Sequence, residues 1–126
     1  RAILEGVTYA LRDSYAIMCD LGVPVKQIRA SGGGAKNPFW RQMQADVLGK
    51  PVTAMVADEG AAYGVALLAA VGAGHYKDIT EACEATIKTA DESKPNAKMR
   101  KEYDAGFPVY QSLYRALNGE FVKLAR

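Results

Sequence analysis

The 126-residue sequence has few of the residues that build disulfide or metal frameworks, since it contains two cysteines and one histidine. Cys19 and Cys83 stand far apart and outside any Cys-x-x-Cys spacing. We therefore expect buried free thiols in a reducing cytoplasm rather than a disulfide. His75 has no cluster of cysteines or carboxylates beside it in the sequence, so no metal ligand is predicted in this chain.

A dominant charge and a long apolar run are also missing. The net charge is +2 with both signs mixed along the chain, so nothing indicates nucleic acid or an anionic membrane as a partner. The longest nearly apolar run, residues 64–74, is too short to span a bilayer. Of all residues, 49% are hydrophobic and 24% are charged, and this composition is typical of one globular domain.

A run of three glycines organises the rest of the chain. Residues 25–30 predict a short strand that stops at Gly32–Gly34. A helix over 38–48 follows with two start signals. Asn37 can accept hydrogen bonds from its first free N–H groups, and Pro38 suits its first position. This sequence predicts a strand, a glycine turn and a helix N-terminus.

Such a turn favours phosphate or another anion, because glycines let a ligand approach backbone N–H groups closely. The candidate ligand-binding residues are Gly32, Gly33, Gly34 and Asn37. A P-loop is excluded, since Lys36 is neither correctly spaced nor followed by Ser or Thr. A Rossmann fingerprint is excluded as well, since its third glycine would fall at Asn37. Turns of this kind also occur in α/β proteins without a ligand, so a purely structural turn is the alternative.

The flanking segments extend this unit into an α/β fold. Helices are predicted over 2–21, 59–73 and 79–88 and from residue 97, with a second strand at 51–56 and a loop at 89–96. Two short strands joined by a helix predict a βαβ unit with parallel strands and several packed helices. The glycine turn and residues 57–60 should then be neighbours at the carboxyl ends of the strands. Asp58 is expected to cap the third helix, and Asp58 and Glu59 are candidates for a place near a nucleotide.

Apolar stripes predict which faces are buried. Trp40 lies on the apolar stripe of helix 38–48 and is expected in the core rather than stacked on a base. Arg12 is expected on a solvated face of the first helix. The stripe of aromatic and leucine residues over 103–117 is expected to be core, with Pro108 breaking or kinking its helix near Gly106 and Gly119 ending it.

The block SGGGAKNPFWRQMQADVLGKPV (residues 31–52) closely resembles the second domain of the FGGY carbohydrate kinases. Residues 59–69 (EGAAYGVALLA) resemble the helix that follows it. The tail, with Tyr103, Tyr110 and Tyr114, is similar to the end of the bacterial xylulose kinases within that family. The resemblance implies an actin-like ATPase fold of two ribonuclease H-like domains, with ATP and Mg²⁺ bound in the cleft between them.

Residues 1–126 would then form the carboxy-terminal portion of the nucleotide-binding second domain. The missing initiator Met and a helical pattern already running at residue 2 lead to the same expectation. In the related glycerol kinases, the second glycine of this turn and the Asn four residues later contact the nucleotide. These positions are Gly33 and Asn37 here.

The family's aspartate base, metal ligands and sugar site belong mainly to the amino-terminal domain. Asp13, Asp46, Asp58 and Glu59 do not match the base motif, so no catalytic residue is predicted. The chain alone should be inactive, should expose surface that the missing domain covers, and should either self-associate or be marginally stable. The sugar could be D-xylulose, another ketose, a polyol or glycerol. The other alternative is a non-catalytic, actin-like interaction module.

Overall fold

The computed structural model describes residues 1–56 and 60–125. The helices and strands of these residues follow in this order: α1 (Ala2–Asp20), β1 (Ile28–Ala30), α2 (Gly33–Lys36), α3 (Pro38–Leu48), β2 (Val52–Met55), α4 (Gly60–Gly72), α5 (Ile79–Thr86), β3 (Thr89–Ser93) and α6 (Ala97–Leu124). Among these helices, none combines the length and apolar character needed to cross a bilayer.

The predicted βαβ unit is confirmed. Strands β1 and β2 pair in parallel, with Ile28 opposite Val52 and Ala30 opposite Ala54. Helix α3 packs on this pair through Ala45, and together with Ala30 and Val52 it forms one of two buried apolar clusters. The second cluster joins α3 to α6 through side chains that are buried in both helices: Met43, Val47 and Tyr103.

The prediction of a loop over 89–96 is wrong for its first five residues. They form β3, which pairs antiparallel with β2 and gives the sheet order β1-β2-β3. Of its five side chains, Ser93 is buried and the other four are exposed. The strand therefore has no apolar alternation to reveal it, and its backbone pairing with the edge of β2 defines it.

Helix α1 ends within one residue of the predicted boundary, and a glycine with a left-handed backbone follows its last turn. Gly22 has φ +73°, and its N–H donates to the Cys19 carbonyl at 2.9 Å while the Val23 N–H donates to Met18 at 3.0 Å. These two bonds form the glycine C-cap called a Schellman motif. Both cysteines are free thiols, as predicted, but Cys19 is exposed and Cys83 is half-buried.

Arg12 lies at the junction between α1 and α6, so the prediction of a solvated face for this residue is wrong. Its guanidinium lies 4.2 Å above the centre of the Phe107 ring and pairs with the Asp104 carboxylate, which also accepts from Arg100 Nε at 2.8 Å. Partial burial raises the pKa of Asp104, but hydrogen bonds from Arg100 and Arg12 outweigh it and hold that pKa below its ordinary value. Burial raises the pKa of Tyr9.

Helix α6 neither breaks at Pro108 nor ends at Gly119, in contrast to the prediction. It runs without interruption to Leu124. Tyr9 supports the turn before Pro108, since its hydroxyl donates to the Tyr103 carbonyl at 3.2 Å. A Cβ on Gly106 would lie 2.5 Å from the same hydroxyl. A proline within a helix costs about 3 kcal/mol, and packing of α1 against this turn offsets part of that cost.

Candidate functional site

The three glycines form a compact turn at the carboxyl end of β1. Gly32 begins the turn with φ +77°, and the next residues make the single helical turn α2, which the sequence does not predict. The Ala35 N–H donates to the Gly32 carbonyl at 3.1 Å, and the Asn37 N–H donates to the Gly34 carbonyl at 3.4 Å. The strand and α3 are thus separated by one short, weakly bonded turn rather than by a simple loop.

Each glycine has a different structural context. Gly32 adopts a backbone conformation that side chains disfavour. A Cβ on Gly34 would lie 2.6 Å from Cζ3 of Trp40, so packing of the indole requires a glycine there. Gly33 has neither constraint, because its φ is not positive and no described atom lies within 4 Å of where its Cβ would be. Among the described residues outside its own chain neighbours and helix backbone, nothing fills the space beside Gly33.

Asn37 is the N-cap of α3, as predicted. Its Oδ1 accepts from the Phe39 N–H at 3.0 Å and from the Trp40 N–H at 3.3 Å. The cap therefore occupies two of the free N–H groups that were expected to favour an anion. Asn37 is exposed. Its Oδ1 accepts the two cap hydrogen bonds, whereas its Nδ2 carries N–H groups that can donate to a ligand.

A cleft of about 200 Å³ opens beside this turn. Its walls are the end of α2, the end of β2 and the start of β3, with these lining residues: Ala35, Lys36, Arg41, Met55, Val56 and Asp91. The structure thus brings the glycine turn beside the end of β2, whereas the predicted contact with residues 57–60 falls mostly on residues outside those described. The predicted roles of Asp58 and Glu59 lie outside the described residues.

Trp40 belongs to the packed interior, as predicted. It is half-buried against the α3–α6 cluster, and its Nε1 donates to Thr8 Oγ1 at 3.0 Å. The Thr8 hydroxyl is fully buried and donates in turn to the Leu4 carbonyl at 2.6 Å. Helix α1 therefore fixes the indole that lies against Gly34.

Two acidic candidates have structural partners. The buried Asp46 Oδ1 accepts from Gln42 Nε2 at 2.9 Å and from the Asn96 N–H at 2.7 Å, which fixes the connection between β3 and α6. Asp13 accepts from Gln111 Nε2 at 2.8 Å. Within the described part of the chain, no three acidic, histidine or cysteine side chains come together as a metal site.

Sequence reasoning missed Arg41, a nearly buried cation at the back of the cleft. Its Nη1 donates to the Ala35 carbonyl at 2.9 Å, and its Nε donates to Ser93 Oγ at 3.1 Å. One sequence signal could have found it. Arg41 lies one helical turn after the Asn37 cap, on a face of α3 that continues with the buried Gln44 and Leu48.

Residues 1–73 match the model of the C-terminal domain of the FGGY family of carbohydrate kinases. The chain therefore belongs to this family. The predicted α/β fold class, a partial domain of such a kinase, is confirmed.

Individual relatives include a xylulose kinase and a glycerol kinase. The xylulose kinase of Staphylococcus epidermidis (strain RP62A) is 39% identical over 115 residues, which is 91% of this chain and 23% of that protein. The glycerol kinase of Geobacillus sp. (strain WCH70) is 43% identical over 82 residues, which is 64% of this chain and 16% of that protein. The chain thus spans about a quarter, or less, of the length of the relatives it matches.

A solved structure shows the same arrangement of elements. The crystal structure of xylulose kinase from Rhodospirillum rubrum superposes with a TM-score of 0.80 at 31% sequence identity, covering 96% of this chain and 25% of that one.

Proposed function

We propose that this chain is the carboxy-terminal portion of the second, nucleotide-binding domain of an ATP-dependent sugar kinase that acts on D-xylulose. The family membership and the identity to xylulose kinases support this proposal. The reaction breaks the bond between the γ-phosphorus of ATP and its bridging oxygen. It forms a new bond from that phosphorus to the oxygen of a sugar hydroxyl, whose proton passes to the aspartate base expected in the amino-terminal domain, giving D-xylulose 5-phosphate and ADP.

The open backbone at Gly33 is the observation that carries the nucleotide site. Gly32 and Gly34 have conformational or packing reasons to be glycine, whereas the space beside Gly33 is empty of described atoms. A phosphate or ribose oxygen could approach the backbone N–H groups there without meeting any of the described side chains. Asn37 lies four residues further on and offers its Nδ2. We assign Gly32, Gly33, Gly34 and Asn37 to the adenine-nucleotide side of the cleft.

The described residues supply only part of the machinery for phosphoryl transfer. They contain no cluster of side chains suited to Mg²⁺, and Asp13 and Asp46 have structural partners. Phosphoryl transfer depends on positioning and charge stabilisation across an assembled site. The amino-terminal domain would supply the aspartate base, the sugar site and the ligands for Mg²⁺. We therefore propose that the isolated chain is inactive and that the complete kinase works in the cytoplasm, where free thiols persist.

The glycerol kinase relative keeps a second substrate class open. The test is to assay the complete protein that contains this chain with ATP and either D-xylulose or glycerol, following ADP release. We expect kcat/KM to favour D-xylulose by on the order of a hundredfold. The isolated chain, as a matched control, should release no ADP with either D-xylulose or glycerol. A preference for glycerol would mean that glycerol, and not D-xylulose, is the substrate. The absence of turnover with ketoses or polyols would favour a non-catalytic interaction module.

A further inference from the structure

Arg41 is a buried charge that the proposed nucleotide site does not by itself explain. The residue is 8% exposed and lies in the first turn of α3. Burying a guanidinium is costly unless its N–H groups find acceptors. A buried guanidinium therefore needs hydrogen-bond acceptors, and the positions of those acceptors show which elements Arg41 connects.

The guanidinium joins two elements that do not follow one another in the chain. Nη1 donates to the Ala35 carbonyl of α2 at 2.9 Å, and Nε donates to Ser93 Oγ of β3 at 3.1 Å. Nη2 lies 3.6 Å from Oδ2 of Asp91, whose side chain is 85% exposed. Because the guanidinium is planar and rigid, these contacts fix α2 relative to β3.

Helix α2, which Arg41 contacts, depends on interactions from outside the helix. Helix α2 has four residues, far fewer than a helix needs to be stable without outside contacts. Its closing hydrogen bond, from the Asn37 N–H to the Gly34 carbonyl, is long at 3.4 Å. The shorter, charge-assisted bond from Arg41 to Ala35 is therefore one direct restraint on the turn that contains Gly33, beside the burial of Ala35 in the core.

We infer that Arg41 is a positioning residue: it fixes the glycine turn against β3 and thereby sets the affinity of the site for an adenine nucleotide. This inference rests on the proposed function. It also assigns a role to β3, because Ser93 and Asp91 hold the guanidinium from the opposite wall of the cleft.

The test compares Arg41→Lys with wild type in the complete protein. Lysine keeps the charge, but its single ammonium cannot reach Ala35 and Ser93 in the same planar arrangement. Hydrogen exchange of residues 33–37 should rise roughly tenfold, the effect of losing one charge-assisted bond. The Kd for ADP and the KM for ATP should rise by a similar factor, while the KM for the sugar stays unchanged.

Two further variants keep the test decisive. Arg29→Lys makes the same substitution on β1, where Arg29 is exposed and bonds to Gln27, and should change neither exchange nor affinity. Ser93→Ala removes only the acceptor of Arg41 Nε and should give a smaller effect of the same kind. If Arg41→Lys fails to fold, Ser93→Ala is the variant that tests the inference.

The outcomes separate this inference from the proposed function. Unchanged exchange in Arg41→Lys, or raised exchange with unchanged ADP affinity, would overturn the positioning role while nucleotide binding by the wild type stands. Failure of the wild type to bind ADP would overturn both.

Discussion

The two halves of α6 carry the same apolar stripe but have different surroundings. In the first half, Tyr103 is 7% exposed and lies in the buried cluster with Met43 and Val47. In the second half, every residue over 111–125 is exposed, although Leu113 and Leu117 continue the same stripe. The periodicity of a helix thus reports an apolar face, but it does not report whether another element covers that face.

The difference between the halves lies in their neighbours. Helices α1 and α3 both contact the first half, and Tyr9 of α1 packs beside Tyr103, Phe107 and Tyr110 with ring centres 5.3–6.1 Å apart. In the second half the ring contact is within the helix itself, between Tyr114 and Phe121 at 6.2 Å. This half extends for about 21 Å, at 1.5 Å per residue.

Truncating one apolar side chain that packs on the first half of α6 and one that lies in the second half should give the largest contrast. Met43→Ala removes a side chain that is 3% exposed and packs against the first half of α6, so unfolding should become easier by about 2–5 kcal/mol. Leu117→Ala, in the second half, should change the free energy of unfolding by less than about 0.5 kcal/mol. Urea unfolding of the 126-residue chain, followed by Trp40 fluorescence, measures both.

Equal losses in the two variants would show that the distal half of α6 is packed in solution. Self-association, one of the two behaviours expected from the sequence, would be one cause. Light scattering at several chain concentrations would detect it.

The glycine turn has a packed side and an open side of its own, and alanine substitutions should distinguish them. Gly34→Ala places a Cβ 2.6 Å from the Trp40 ring and should destabilise the fold by about 1–3 kcal/mol. Gly33→Ala meets no described atom within 4 Å and should leave the melting temperature nearly unchanged. A large loss of stability in Gly33→Ala would mean that the space beside Gly33 is filled, which would remove the argument for a ligand there.

The features that the sequence predicts correctly are those fixed by local chemistry. Helix α3 has the predicted bounds because Asn37 and Pro38 start it and Gly49, with φ +65°, ends it. The cap at Gly22 follows from the same kind of signal. Each of these depends on residues within a few positions of one another.

The features that the sequence does not predict depend on distant partners. Strand β3 forms because β2 offers an unpaired edge, and α6 continues through Pro108 where Tyr9 supports it. The carbonyl of Ala35 in the turn α2 accepts a hydrogen bond from Arg41, which reaches it from α3. At the candidate site, the glycines and Asn37 are visible in the sequence, whereas the distinction between Gly33 and Gly34 requires knowing where Trp40 lies.

The most direct test of the nucleotide site is calorimetric titration of the complete protein with ADP, using GTP as a control ligand. Gly33→Ala should raise the Kd for ADP by on the order of tenfold, because its Cβ would occupy the space of the nucleotide. Gly119→Ala, also a glycine in open space but in the distal half of α6, should bind ADP like the wild type. Wild-type affinity for ADP in Gly33→Ala would contradict the account.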